Sequence, residues 1–219
     1  MSRFGSPTLT AVFAACAALI SAPALAVTFG YQMSINDPIF NSTNGNANVP
    51  DFQLENISDL GSGIGITDFS LTIGNTGFNY DFVRIQSVFT DPMGDLKATL
   101  NTVGTVNDGV GDDLLDYDFT GFDAGDAFRF EVDVDPDSGS PTQDFRQVLF
   151  PTALLSVTFS NGSTLSQNLA PANTGVTGYR FAQTETIPAP VPLPGSLALY
   201  LSAGLVGGGL MLRRRKMRA

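Results

Sequence analysis

Asp133-Val134-Asp135-Pro136-Asp137-Ser138-Gly139 sets a carboxylate at every second residue and then a glycine, and Asp144 follows eleven residues after Asp133. Hard cations take oxygen ligands spaced in this way along a loop, and calcium is the ion such a set would suit. Asp133, Asp135, Asp137 and Asp144 are therefore the candidate metal ligands. The pattern departs from an EF-hand: the glycine comes one place late, the last ligand is Asp, and no helical period flanks the loop. The competing reading is a solvated strand end followed by a turn at Asp135-Pro136-Asp137. A second acidic stretch, Asn107-Asp108-Gly109-Val110-Gly111-Asp112-Asp113 with Asp116 and Asp118 beyond it, admits the same two readings.

Other chemistry is excluded by inventory. The chain has no histidine, and its one cysteine is Cys16. Ser-His-Asp and Cys-His catalysis and His-bearing zinc sites are thus impossible. Gly61-Ser62-Gly63-Ile64-Gly65 lacks the Lys-Ser/Thr ending and strand-to-helix setting of a phosphate loop. Acids for a glycoside-hydrolysing pair are plentiful. The chain has no tryptophan, however, and Tyr31, Tyr80, Tyr117 and Tyr179 are the tyrosines of residues 27–186. A sugar cleft has little aromatic platform to draw on. The expectation is a non-enzymatic protein.

The two ends carry addresses. Residues 1–26 open with Arg3, continue apolar through Ile20 and close on Ala24-Leu25-Ala26. That order is a secretory signal peptide with cleavage after Ala26, so the Sec translocon and signal peptidase are the first partners. Cys16 lies inside it, which leaves the mature chain without disulfides. At the other end, Gly195 to Leu212 is 18 residues without a charge. As a helix it would span ~27 Å, close to the ~30 Å hydrocarbon core of a bilayer. Arg213, Arg214, Arg215, Lys216 and Arg218 follow, which would hold residues 213–219 in the cytoplasm and everything upstream outside. Gly204, Gly207, Gly208 and Gly209 weaken that helix by about 1 kcal/mol each relative to alanine. Gly204 and Gly208 also form a close-packing pair.

Val191-Pro192-Leu193-Pro194-Gly195-Ser196, then the apolar run, then Arg213 to Lys216 resembles the PEP-CTERM sorting signal of exopolysaccharide-producing Gram-negative bacteria. Leu193 stands where the usual motif has Glu, so the chain looks like the Val-Pro-Leu-Pro variant. The resemblance implies recognition by an exosortase, an integral-membrane cysteine transpeptidase or protease. It further implies removal of the tail, transient anchoring in the inner membrane, and delivery to the cell surface or biofilm matrix, with exopolysaccharide or matrix proteins as partners. The bland alternative is a permanent one-pass anchor. Residues 187–194 carry proline at every second position from Pro188 to Pro194, a stiff polyproline II spacer.

Residues 27–186 are long enough for one domain with a real core. Five cations stand there against all 21 acidic residues, so this part carries −16 where the full chain carries −10. Nucleic acid is disfavoured as a partner. The periodicity is that of strands. Phe128-Arg129-Phe130-Glu131-Val132-Asp133-Val134 alternates, with Phe128, Phe130 and Val132 facing a core and the charged residues facing water. Phe69–Ile73 and Phe78–Phe82 alternate on either side of Gly74-Asn75-Thr76-Gly77, which predicts a hairpin. Leu155–Ser160 runs into Asn161-Gly162, which predicts a type I′ turn and a return strand over Ser163–Leu169. Weaker strands are expected at Val27–Ile35, Phe52–Ile57, Val83–Phe89, Leu114–Phe119 and Gly178–Gln183. The fold expected is an antiparallel β-sandwich, Ig-like or jelly roll. Two functions fit such a domain besides a matrix protein: a secreted carbohydrate-binding module and a membrane-anchored structural protein.

Overall fold

Alternation of apolar and polar residues with period two forces strands that pack one face, and the chain answers with strands almost throughout. The computed structural model describes residues 25–37, 47–75, 77–102, 113–137, 143–170 and 178–190. Its strands are β1 (Val27–Ile35), β2 (Asp51–Asn56), β3 (Ile66–Thr72), β4 (Phe78–Thr90) and β5 (Lys97–Thr102), then β6 (Leu114–Phe122), β7 (Ala127–Pro136), β8 (Leu154–Phe159), β9 (Thr164–Asn168) and β10 (Tyr179–Ile187). One short helix, α1 (Phe145–Leu149), lies between β7 and β8. The strands form two five-stranded sheets, in the orders β10-β1-β2-β7-β4 and β5-β6-β3-β8-β9. We call them sheet A and sheet B. Every pairing is antiparallel. Val27–Ile187 is one compact unit, and Ile187 ends β10 rather than opening the proline spacer.

The core lies between the sheets, as a sandwich requires. Phe29, Tyr31, Met33 and Ile35 of β1, Phe52 and Leu54 of β2, and Phe128, Phe130, Val132 and Val134 of β7 face it from sheet A. Sheet B answers with Phe69, Leu71, Leu115, Tyr117, Phe119, Leu155, Val157 and Phe159. Phe130 joins the layers: it stacks on Phe52 at 4.9 Å and meets Phe69 at 5.5 Å and Tyr117 at 5.3 Å.

Three local expectations fail for physical reasons. Phe69–Ile73 and Phe78–Phe82 are not a hairpin: β3 belongs to sheet B and β4 to sheet A, so the chain changes layers after Thr72 and before Phe78. Alternation marks a strand but does not choose its partner. β4 also absorbs both stretches expected at Phe78–Phe82 and Val83–Phe89 into one strand, with register shifts between Tyr80 and Val83, Val83 and Ile85, and Val88 and Thr90. The Asn161-Gly162 turn is not type I′, which needs positive φ at both central residues. Here Gly162 is left-handed at φ 83 while Asn161 is not. The Gly162 N–H donates to Phe159 O at 2.8 Å and the Phe159 N–H to Ser163 O at 2.9 Å. This is the three-residue loop in which a type I turn is followed by a glycine bulge.

Register defines two ends. Val27 pairs with Ile187, Asn56 with Tyr31, Glu55 with Ala127 and Thr90 with Ala127. The start of β1, the end of β10 and the turns at 57–65, 91–96, 123–126 and 160–163 therefore share one end, the exit end. α1 and the aromatic group Phe145, Phe150 and Tyr179 share the far end.

Candidate functional site

Asp133, Asp135, Asp137 and Asp144 all fall at the far end. Asp133 and Asp135 project from the same outer face of β7, and β7 continues through Pro136 before Asp137 bends away. Asp133 accepts from Asn48 Nδ2 at 2.5 Å, and Asp137 accepts from Asn79 Nδ2 at 3.1 Å. Asp144 is used differently, as the N-cap of α1, where it takes the Arg146 N–H at 3.0 Å. The Arg146 side chain also donates to both of its carboxylate oxygens, which holds that carboxyl below its usual range. Among the described residues no group of three or more acidic side chains is arranged to hold a metal. Strand geometry explains why. A carboxylate at every second strand residue lines one face in a row instead of curling round a point, and the helix cap turns Asp144 to its own backbone.

The sorting motif, Val191 to Ser196, the apolar run and the basic cluster Arg213 to Lys216 lie outside the described residues, as does the leader through Ala24. Among the described residues no helix is long and apolar enough to cross a membrane. Residues 107–112 of the second acidic stretch also lie outside them.

Asp116 and Asp118 of that stretch do meet a partner that the spacing of acids along the chain does not reveal. They sit on the outer face of sheet B, where Asp68 of β3 faces Asp118 and Ser70 faces Asp116. Three carboxylates thus converge from residues some fifty positions apart. Partial burial raises the Asp68 pKa to about 6, and the charges of Asp116 and Asp118 push the same way. Asn101 Nδ2 donates to Asp116 at 3.3 Å from β5. On the other side of Asp68 the face continues in hydroxyls: Ser156 bonds Ser166 at 2.8 Å, and Thr158 bonds Thr164 at 3.1 Å. The face offers short acceptors and rotatable hydroxyls in cross-strand rows, groups that can pair with a polyol or ammonium group. The alternation of Leu115-Asp116-Tyr117-Asp118 and Asp68-Phe69-Ser70 is visible in sequence. The β3–β6 register that joins them is not.

The outer face of sheet A is built otherwise. Asp51 is fully buried, and Arg129 clamps it with two bonds of 2.8 and 2.5 Å. Glu131 and Gln53 beside it are buried as well. The expectation that Arg129, Glu131 and Asp133 face water is corrected: they point outward from the core, but Glu131 is buried and Arg129 and Asp133 are half-buried. Paired long side chains lie down across the strands and cover one another.

No protein-family model matches the chain, and no curated protein and no solved structure matches it.

Proposed function

We propose that the chain is an exported, non-enzymatic protein of the cell surface or biofilm matrix, handled at its C-terminus as an exosortase substrate. The observation that carries this is sequential order: a leader, one domain, a proline spacer, Val191 to Ser196, an apolar run, then Arg213 to Lys216. The inventory supports the non-enzymatic part, since a chain without histidine and with its one cysteine in the leader has no Ser-His or Cys-His pair to work with. Mass spectrometry of the protein from its own host is the test. The mature species should begin at Val27 and lack the residues after about Pro194. Neutralising Arg213, Arg214, Arg215 and Lys216 together should misplace the tail. Intact protein retaining Arg218 as the main surface species would replace this reading with a permanent anchor.

A carbohydrate contact is favoured by one feature, the carboxylate and hydroxyl rows on the outer face of sheet B. A glycan array on the wild type and on Asp118→Asn separates a defined sugar ligand from a purely structural role. Within the sandwich class, the pairing favours a jelly-roll-like wrap over an Ig-like order. β5·β6, β4·β7, β3·β8 and β1·β10 nest inside one another and alternate between the sheets, as a long hairpin folded over itself would.

A further inference from the structure

Large apolar side chains left in water are informative when they gather. Within Val27–Ile187 and among the described residues, those exposed are Leu60, Val88, Phe89, Met93, Leu154 and Ile187. Register puts five of the six at the exit end. Ile187 pairs with Val27 where the chain enters and leaves, Val88 and Phe89 lie where β4 meets the start of β7, and Leu60 and Met93 are on the adjoining turns. Leu154, at the start of β8, lies toward the far end, paired with Asn168.

The two most exposed, Leu60 at 85% and Met93 at 75%, stand on turns that are tied down. Asp59 takes the Thr28 N–H at 2.6 Å while its own N–H reaches Thr28 O at 2.9 Å, which fixes Leu60 beside β1. The Asp91 carboxylate accepts from the N–H groups of Met93, Gly94 and Leu96 at 3.1, 2.6 and 2.9 Å. Leu96 is buried beneath that turn while Met93 stands out of it. Gly121, left-handed at φ 66, lets the turn sit against β6, since a Cβ there would come within 2.5 Å of Asp95 O. These turns hold their apolar tips outward.

We propose that the exit end is a lipid-docking surface, with Leu60 and Met93 entering the interface of a bilayer and Phe89, Val88 and Ile187 resting at its edge. The proposal rests on the reading of the apolar run as a membrane anchor. That run begins at Gly195, and the seven residues from Pro188 to Pro194 reach only ~22 Å as polyproline II. On that reading, the length of this spacer keeps the end from which it leaves within that reach of the bilayer. Amphipathic elements at such an interface bury their apolar side chains ~5–10 Å deep, which two protruding tips can match. Asp59, Asp91, Asp95 and Asp123 border these tips, so the surface suits a zwitterionic rather than an anionic lipid.

The absence of tryptophan makes the test direct. Single Leu60→Trp, Met93→Trp, Leu154→Trp and Leu205→Trp variants of the full chain would be reconstituted in phosphatidylcholine vesicles brominated on their acyl chains, and the loss of Trp emission read against unbrominated vesicles. The expected result is loss at positions 60, 93 and 205 and none at 154. Loss at 205 without loss at 60 and 93 overturns docking and leaves the anchor standing. Loss at 60 and 93 without loss at 205 keeps docking and removes the anchor. Loss at none removes both, and equal loss at 154 overturns docking at a defined end.

Discussion

Phe128-Arg129-Phe130-Glu131-Val132 and Leu115-Asp116-Tyr117-Asp118-Phe119 look alike as sequence, each alternating apolar and charged residues, yet their outward charges meet opposite fates. On sheet A, Arg129 lies over a fully buried Asp51, and Glu131 is buried beside them. On sheet B, Asp116 and Asp118 meet Asp68 across the ladder with no cation among the three. Two differences produce this. Sheet A mixes signs, so its side chains can lie down on each other and shed water without leaving a charge alone. On sheet B the cation, Lys97, stands on the edge strand opposite Thr120 rather than over the acids, so Asp68, partly buried and close to Asp116 and Asp118, holds its proton more firmly. One outer face is covered by its own paired side chains, and the other carries unneutralised carboxylates beside rows of hydroxyls.

Removing Phe130 should break both faces at once. It bridges the layers through Phe52, Phe69 and Tyr117, and Phe130→Ala should cost about 3–5 kcal/mol in denaturant unfolding, from lost burial plus a cavity. A cost under about 1 kcal/mol would mean that the layers do not depend on this ring.

Arg129→Met should be next, at about 3 kcal/mol, because it strands the buried Asp51 carboxylate. Arg129 keeps some exposure, which places the figure at the low end of the range for breaking a buried pair. Adding Asp51→Leu should recover most of the loss, and a double variant no more stable than the single would make the pair's packing, not its charge, the source of stability.

Asp68 gives the outer face of sheet B a response to pH. Its folded pKa, about 6, lies above the ordinary carboxylate value, so the folded state binds the proton more tightly than the unfolded state does. The stability this confers is present at about pH 4 and is lost as pH rises through about 6. Asp68→Asn should therefore raise the melting temperature at pH 7, do little at pH 4, and flatten the profile between them. Parallel profiles for variant and wild type would separate Asp68 from its two neighbours.

The smallest effect belongs to the hydroxyl rows. Ser166→Ala removes an exposed bond to Ser156 and should stay within about 0.5 kcal/mol. A larger loss would make that row part of the framework instead of a free surface.

Alternating residues by themselves determined that this chain is built of strands, and they chose which side chains enter the core: Phe128, Phe130, Val132, Leu155, Val157 and Phe159 face inward as the pattern requires. That information is local, because the period of a strand is written in neighbouring residues. Charge and inventory likewise needed no fold. Pairing is not local. Only the tertiary structure decided that β3 leaves β4 for β6 and β8, and that Asp68 meets Asp116 and Asp118. The same assembly spread Asp133, Asp135, Asp137 and Asp144 between a strand face and a helix cap. It also brought Val27 to Ile187 across the whole length of the domain. Each depends on which strand edges lie side by side once a single core has been closed, a property of the assembled sheets that no window of sequence contains.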